Sequence, residues 1–353
     1  MIDPHVHLRD WTQRAKETVR HGLEVAARAG LDAVFEMPNT NPPLTTRTAV
    51  LNRIALADEA NAALKLPVTH GLFMGLTEDL SQIEEAVQIW REFLPRVVGL
   101  KMFAGHSTGN MGIVNVHKQL RLVKKLVEQG FDGVLAVHCE KQSLIKPGLW
   151  NPKKPVTHTH VRPAVAEVES IHDIIAMAEN EAFRGNLHIC HISTTAGVGL
   201  VSAARQKGAI RITCGVTPHH LLLSDLMMNQ EHGLLLKMNP PLRDAQTAAE
   251  LLRALVGGKI DWVETDHAPH TLLEKQSPAS GYPSGIPVLP VYPHLIGWLK
   301  RQGMSPDRLE QVTHGNICRT YGQDIPDSKR ASALDLAAEY EFDPFNLPLE
   351  PAE

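Results

Sequence analysis

Cysteine is scarce in this 353-residue chain: Cys139, Cys190, Cys214 and Cys318 lie far apart and form no C-x-x-C pair. A disulfide framework or a zinc ribbon is therefore not expected, and the thiols should be reduced. No run of about 18 uncharged apolar residues occurs, which excludes the pattern of a membrane-spanning helix. The N-terminal Met-Ile-Asp-Pro-His lacks the basic and apolar regions of a signal peptide, so a cytoplasmic protein is expected. Basic runs are missing too. With 35 Lys+Arg against 39 Asp+Glu the formal charge is −4, and no basic face is offered to nucleic acid or to an anionic membrane. Aromatic residues make up only 5% of the chain, yet there are 19 histidines. Histidine is both a proton carrier near neutral pH and the commonest metal ligand, so its grouping directs the search for function.

Short apolar runs alternate with longer amphipathic ones, the pattern of parallel strands joined by crossover helices. Strands are expected at Ile2 to His7, Ala33 to Met37, Val68 to Met74, Val97 to Phe103, Gly133 to Cys139, Leu187 to Ile192, Ile210 to Gly215 and Ile260 to Thr265. Helices are expected at Glu17 to Ala29, Arg47 to Ala63, Leu80 to Phe93, Val116 to Glu128, Ala164 to Glu179, Thr195 to Lys207 and Asp244 to Val256, with one more at Ser305 to His314. Such a series predicts an α/β protein, a (β/α)8 TIM-type barrel over residues 1–322 with all strand C-termini at one mouth. The Pro- and acid-rich residues 323–353 read as a C-terminal tail packing on the barrel. Residues 141–163, with His158 and His160, read as a loop over the mouth carrying solvated histidines. The Gly105 to Gly112 segment lacks G-x-x-x-x-G-K-[ST] and reads as a mouth loop rather than a phosphate cradle.

The histidines fall where such a barrel does its chemistry. His5 and His7 close the first strand, His138 the fifth, His191 the sixth, and Asp266 the eighth. Residues two apart in a strand share a side, so His5-Val6-His7 aims two imidazoles together. A lone H-x-H is weak, and a single strand-end histidine is usually a hydrogen-bonded core residue. Five ligand-type residues at one mouth make a metal site the better reading. Lys101 closes the fourth strand among them. It either forms a salt bridge or, after capturing carbon dioxide, becomes a carbamate able to bridge two cations. No Asp or Glu near that strand offers another bridge.

Asp3-Pro4-His5-Val6-His7-Leu8-Arg9-Asp10, Met37-Pro38-Asn39-Thr40, Val137-His138-Cys139-Glu140, His191-Ile192-Ser193-Thr194, Asn239-Pro240-Pro241-Leu242-Arg243 and Thr265-Asp266-His267-Ala268-Pro269-His270 resemble the motifs of dihydroorotases, in order, over residues 1 to about 320. The H-x-H, Lys, His, His and Asp set is common to the amidohydrolase superfamily; Arg9, Asn39 and His270 narrow the resemblance. It implies reversible hydrolysis of L-dihydroorotate to N-carbamoyl-L-aspartate, with two zinc ions bridged by carbamylated Lys101 and hydroxide. His5, His7 and Asp266 would hold one ion, His138 and His191 the other. Asp266 would act as general acid and base, and Arg9 would clamp the ring carboxylate. Asn39, Asn239 and His270 would add hydrogen bonds, with the backbone around Gly281 to Gly285, Gly281 and Tyr282 included, contributing N–H and C=O contacts. The chain starts at the first strand and its tail has no Gly-Asp-Ala-Asp-Leu type ending, so the extra β-sandwich segment of many dihydroorotases is not expected. Nor is the Asp-Asp-Gly string that replaces the bridging lysine in some members present. Two other readings stand beside this one: another cyclic amidase, such as an allantoinase or dihydropyrimidinase, which has no use for Arg9, and an inactive scaffold barrel. A small-molecule partner, no nucleic acid, no membrane and a possible homo-oligomer complete the expectation.

Overall fold

The computed structural model describes residues 1–107 and 111–345. Its strands are β1 (Ile2–Val6), β2 (Ala33–Glu36), β3 (Thr69–Gly75), β4 (Val97–Phe103), β5 (Val134–His138), β6 (Asn186–Ile189), β7 (Arg211–Val216) and β8 (Trp262–Val263). They form one sheet in the order β1 to β8, every neighbouring pair parallel. The sheet closes on itself where Val6 bridges His267 and the His7 amide donates to the His267 carbonyl at 2.8 Å. The chain is thus a (β/α)8 barrel.

The apolar residues form two layers, sorted by strand parity along β2, β3 and β5. Ile2, Ala33, Phe35, Phe73, Val98, Val134, Ala136 and Trp262 pack together inside the barrel, where Tyr321 meets Phe35 at a ring separation of 5.0 Å and plugs the N-terminal end. Val34, Leu72, Met74, Leu100, Leu135 and Val137 point outward against the helices. The helices begin where side chains satisfy their first amides: Thr18, Thr46, Asp79, Asn115, Thr194 and Asp244 each accept a backbone N–H of the turn they cap. Residues 323–345 lie against this outer layer, with the Ala333 amide on the Arg28 carbonyl at 2.8 Å.

Two segments differ from expectation. A helix, Tyr292–Arg301, precedes the expected one, and its prolines Pro290 and Pro293 stand at or before its first turn, where a missing N–H costs nothing. Residues 141–163 contain short helical turns and the helix Thr157–Val161. His160 is exposed, but His158 is buried and not solvated. Its Nε2 lies 3.0 Å from both the Met238 carbonyl and Asn239 Oδ1, and burial pushes its imidazole down to about 3. Of the Gly105 to Gly112 segment, residues 108–110 lie outside the described residues, as do 346–353 of the tail. Among the described residues no helix is long and apolar enough to cross a membrane.

One charged cluster is built into the wall beside the mouth. Arg53, fully buried on the helix Arg47–Ala62, donates through Nε to Glu36 Oε2 at 2.8 Å, and His70 Nε2 lies 3.0 Å from the same oxygen. Arg53 Nη2 also donates to the Arg9 carbonyl at 2.8 Å, so this cluster holds the turn that follows β1. Burial would raise the Glu36 carboxyl, but Arg53 and His70 outweigh it and hold it at about 2. Arg53→Met removes the partner and leaves a carboxylate in a dry wall, which should cost about 3–5 kcal/mol of stability. Urea unfolding read by circular dichroism checks this, and an unchanged midpoint would show that the cluster is not structural.

Candidate active site

The five strand-end ligand types line one cavity at the mouth. His5, the fourth residue of β1, and His7, just past its end, project to the same side as parity requires, their ring centroids 5.4 Å apart. Both reach one oxygen across the barrel seam: Asp266 Oδ1 lies 3.2 Å from His5 Nε2 and 2.9 Å from His7 Nε2. Burial would raise the Asp266 carboxyl, but these imidazoles hold it well below the ordinary carboxylate range. His138 ends β5 on the interior row of Val134 and Ala136. Its Nε2 faces Glu140 Oε2 at 3.0 Å, which leaves Nδ1 facing His191 Nε2 at 3.1 Å. A carboxylate behind an imidazole is the arrangement that orients a metal-binding histidine. Glu140 in turn is held by Arg162. Burial would raise it, yet Arg162 and His138 keep its carboxyl at about 2.

His191 does not follow strand parity. His188 and Cys190 point inward, so His191 would point outward, but it adopts φ 38° and its ring turns back to the mouth, 5.2 Å from His5. Asp266 likewise has φ 50°. Left-handed backbone in non-glycine residues costs of order 1–3 kcal/mol and collects at functional sites. His191 Nδ1 is buried without a hydrogen-bond partner, and burial, with a further contribution from the positive charges nearby, drives the ring well below its ordinary pKa. Four imidazoles converging on a carboxylate, two of them with a buried unsatisfied nitrogen, make a donor set that fits divalent metal ions. His5, His7 and Asp266 have ligand atoms within 4.8 Å of one another.

Lys101 is fully buried and makes no ion pair among the described residues. Its Nζ donates to Cys190 Sγ at 2.9 Å and lies 5.1 Å from the Phe103 ring centroid. Burial would raise the Cys190 thiol, but the Lys101 charge and His188 pull it down to about 5. Cys190 and Glu264 carry no role in a reading of the strand ends alone. Both sit on inward parity positions, Glu264 two residues before Asp266 and Cys190 two after His188, and that spacing is the signal by which they could have been found. Glu140, two residues after His138, is marked the same way.

The cavity wall includes Arg9, Asn39, Phe103, Ser107, Asn239, Ala268, Ser284 and Gly285. Arg9, at φ 52° in the turn after β1, is 2% exposed and has no carboxylate within ion-pair distance among the described residues. Its Nε donates to the Pro269 carbonyl at 3.1 Å, and its Nη2 is 3.2 Å from His270 Nε2. His270 sits behind Arg9 rather than on the wall, its Nδ1 3.1 Å from Glu274 Oε2. Burial, opposed by Glu274, pushes His270 down to about 3, so it accepts from the guanidinium as a neutral ring. Burial also lowers Arg9, to about 10, which leaves it charged at neutral pH. Asn239 Oδ1 accepts from Ser284 Oγ at 3.1 Å. Gly281 and Tyr282 lie off the wall. The Tyr282 carbonyl accepts from Lys237 Nζ at 2.6 Å, and the part of that loop lining the cavity is Ser284 and Gly285.

No family model matches the chain. Among solved structures, the L-hydantoinase (dihydropyrimidinase) from Arthrobacter aurescens superposes with a TM-score of 0.77 at 24% identity, covering 91% of this chain and 70% of that one. That likeness shows the fold. In sequence, the dihydroorotase of Brevibacillus brevis is 34% identical over 293 residues, 81% of this chain and 64% of that protein. The dihydroorotase of Methanosarcina acetivorans is 31% identical over 92% of this chain and 68% of its own length, and that of Halalkalibacterium halodurans is 30% identical over 98% and 78%. The chain spans 64% of the length of the Brevibacillus protein, just under two thirds. With identities of 31% and 30% over 92% and 98% of its length, the chain belongs to the dihydroorotase family.

Proposed function

We propose that this chain opens the amide ring of L-dihydroorotate to give N-carbamoyl-L-aspartate, and closes it in the reverse direction. The observation that carries the reading is Arg9: a buried, charged guanidinium with no anionic partner among the described residues, on the wall of the cavity that holds the ligand-type cluster. A buried charge without a directly paired anion is costly, and a ligand carboxylate lowers that cost. Dihydroorotate bears such a carboxylate; hydantoins and dihydropyrimidines do not.

The donor set supports two divalent ions, zinc by its imidazole and carboxylate chemistry. His5, His7 and Asp266 would hold one, His138 and His191 the other, with Lys101 as a carbamate between them. Bound there, such ions polarise the ring carbonyl and acidify a water. The chain's residues do the rest. Arg9 takes the carboxylate in a fork, backed by neutral His270. Asn39 and Asn239 meet the ring amide, with Asn239 steadied by Ser284 and His158. Asp266, whose side chain is 13% exposed at the cavity floor, takes the proton of the attacking water and returns it to the leaving ring nitrogen. Hydrolysis requires this carboxyl ionised and ring closure requires it protonated, so the two directions should lose rate on opposite sides of its titration.

Arg9→Met should lower kcat/KM for dihydroorotate by roughly 10- to 100-fold, since a charge-assisted pair contributes about 1.5–3 kcal/mol. Bound metal should be unchanged. Loss of metal in that variant would make Arg9 structural and leave the carboxylate without its clamp. Asp266→Asn keeps an oxygen donor while deleting the proton carrier, so activity should fall by roughly 100-fold or more with metal retained. Near-normal turnover by that protein would move the proton transfer to another group.

A further inference from the structure

The short helix Leu272–Gln276 carries two props of the cavity wall on adjacent residues. Glu274 Oε2 holds His270 Nδ1, as described above. Lys275, the next residue, is fully buried, and its Nζ donates to the carbonyls of Lys237 at 2.8 Å, Gly285 at 3.0 Å and Pro283 at 3.1 Å. Among the described residues no carboxylate lies within ion-pair distance of it. Burial, with the charges of Lys237 and Arg9 adding to it, pulls this ammonium well below the usual lysine range. The three carbonyls oppose that pull. An ammonium has three N–H groups and no lone pair, so three oxygens use all its donors, whereas a neutral amine would turn its lone pair on one of them.

The carbonyls come from two segments of the wall. Asn239, Ser284 and Gly285 line the cavity. The Gly285 amide donates to the Lys237 carbonyl at 2.9 Å, and Ser284 Oγ donates to Asn239 Oδ1 at 3.1 Å. Gly285 adopts φ 132°, open to glycine, and a Cβ there would stand 2.6 Å from the Ala268 carbonyl oxygen and 3.1 Å from His270 Cδ2. The backbone of this segment therefore rests on the ring that backs Arg9.

We propose that Lys275 is a positioning residue for the substrate: its ammonium gathers the carbonyls of Lys237, Pro283 and Gly285 and so fixes the wall between the Arg9 clamp and Asn239. Here the inference rests on L-dihydroorotate as the substrate. Carbonyl oxygens repel a carboxylate, and drawing those of Pro283 and Gly285 onto Nζ directs them away from an anion seated at Arg9. The ammonium, which has no paired anion of its own, also adds positive potential on that side of the cavity. A compact point charge suits three oxygens converging on one place better than a planar guanidinium does.

Lys275→Met keeps the apolar stem and deletes the three donors. Steady-state kinetics of the metal-loaded variant on L-dihydroorotate should show KM raised roughly tenfold with kcat within about twofold, because the wall meets substrate and transition state alike. Amide hydrogen exchange, followed by mass spectrometry, should quicken roughly tenfold in residues 281–286 and stay unchanged in the strands. Lowered kcat with faster exchange throughout the barrel would overturn the proposal in favour of a general structural role. Lys275→Arg keeps the charge but not the point geometry, so its KM should rise only roughly threefold, and it decides alone if Lys275→Met does not fold. Should the wild type leave L-dihydroorotate unchanged, the substrate reading falls, while the exchange comparison still decides whether Lys275 fixes the wall. Wild-type KM together with wild-type exchange at residues 281–286, in either folded variant, would overturn the proposal.

Discussion

The arrangement at the mouth depends on closure of the seam between β8 and β1. β8 is only two residues long, so its own ladder does little to hold it. Closure instead rests on polar contacts just beyond it. The Thr265 amide donates to Asp3 Oδ1 at 3.0 Å, its hydroxyl donates to the other oxygen of Asp3, and the His7 amide donates to the His267 carbonyl. Residues 259 apart in sequence, His7 and Asp266, are brought into contact by that seam. Behind it His267 packs against Glu17, and Tyr340 from the tail donates to Glu17 Oε1 at 2.6 Å and lies 3.2 Å from His267 Nε2. The tail thus braces the residue next to Asp266, which links a surface segment to the geometry of the site.

Charge distribution explains why the mouth suits cations at its floor and an anion at its side. Glu264, Asp266 and Glu140 lie under or beside the imidazoles and are all held ionised, so their combined field favours added positive charge there. Arg9 faces the same cavity from the turn after β1, and its nearest polar neighbours are neutral: a carbonyl and His270. A ring with an amide at one end and a carboxylate at the other matches both halves. A ring without the carboxylate would leave the guanidinium with no directly paired anion, only the field of Glu17, Asp266, Glu274 and Glu36 acting on it.

The barrel was legible because its signal is periodic. Interior and helix-facing residues alternate along β2, β3 and β5, and parity alone places His5 beside His7 and His138 above Ala136. His191 was legible as a strand-end histidine but not by parity, since a positive φ, which no pattern of side chains encodes, turns it inward. The helix Tyr292–Arg301 was hidden because proline reads as a breaker when its place in the first turn is unknown. His158 looked like a loop histidine because its partners, Met238 and Asn239, come from a distant segment. Cys190 and Glu264 carried only their two-residue spacing to His188 and Asp266 as a signal, and of the Gly281 to Gly285 string the part that lines the cavity is Ser284 and Gly285.

The central claim is that Arg9 makes the cavity select a carboxylate-bearing ring. Steady-state kinetics of the metal-loaded protein on L-dihydroorotate and on dihydrouracil, the same ring without the carboxylate, test it most directly. The account predicts a kcat/KM for L-dihydroorotate at least about tenfold higher, the lower bound for one charge-assisted pair. Equal or faster turnover of dihydrouracil would contradict it.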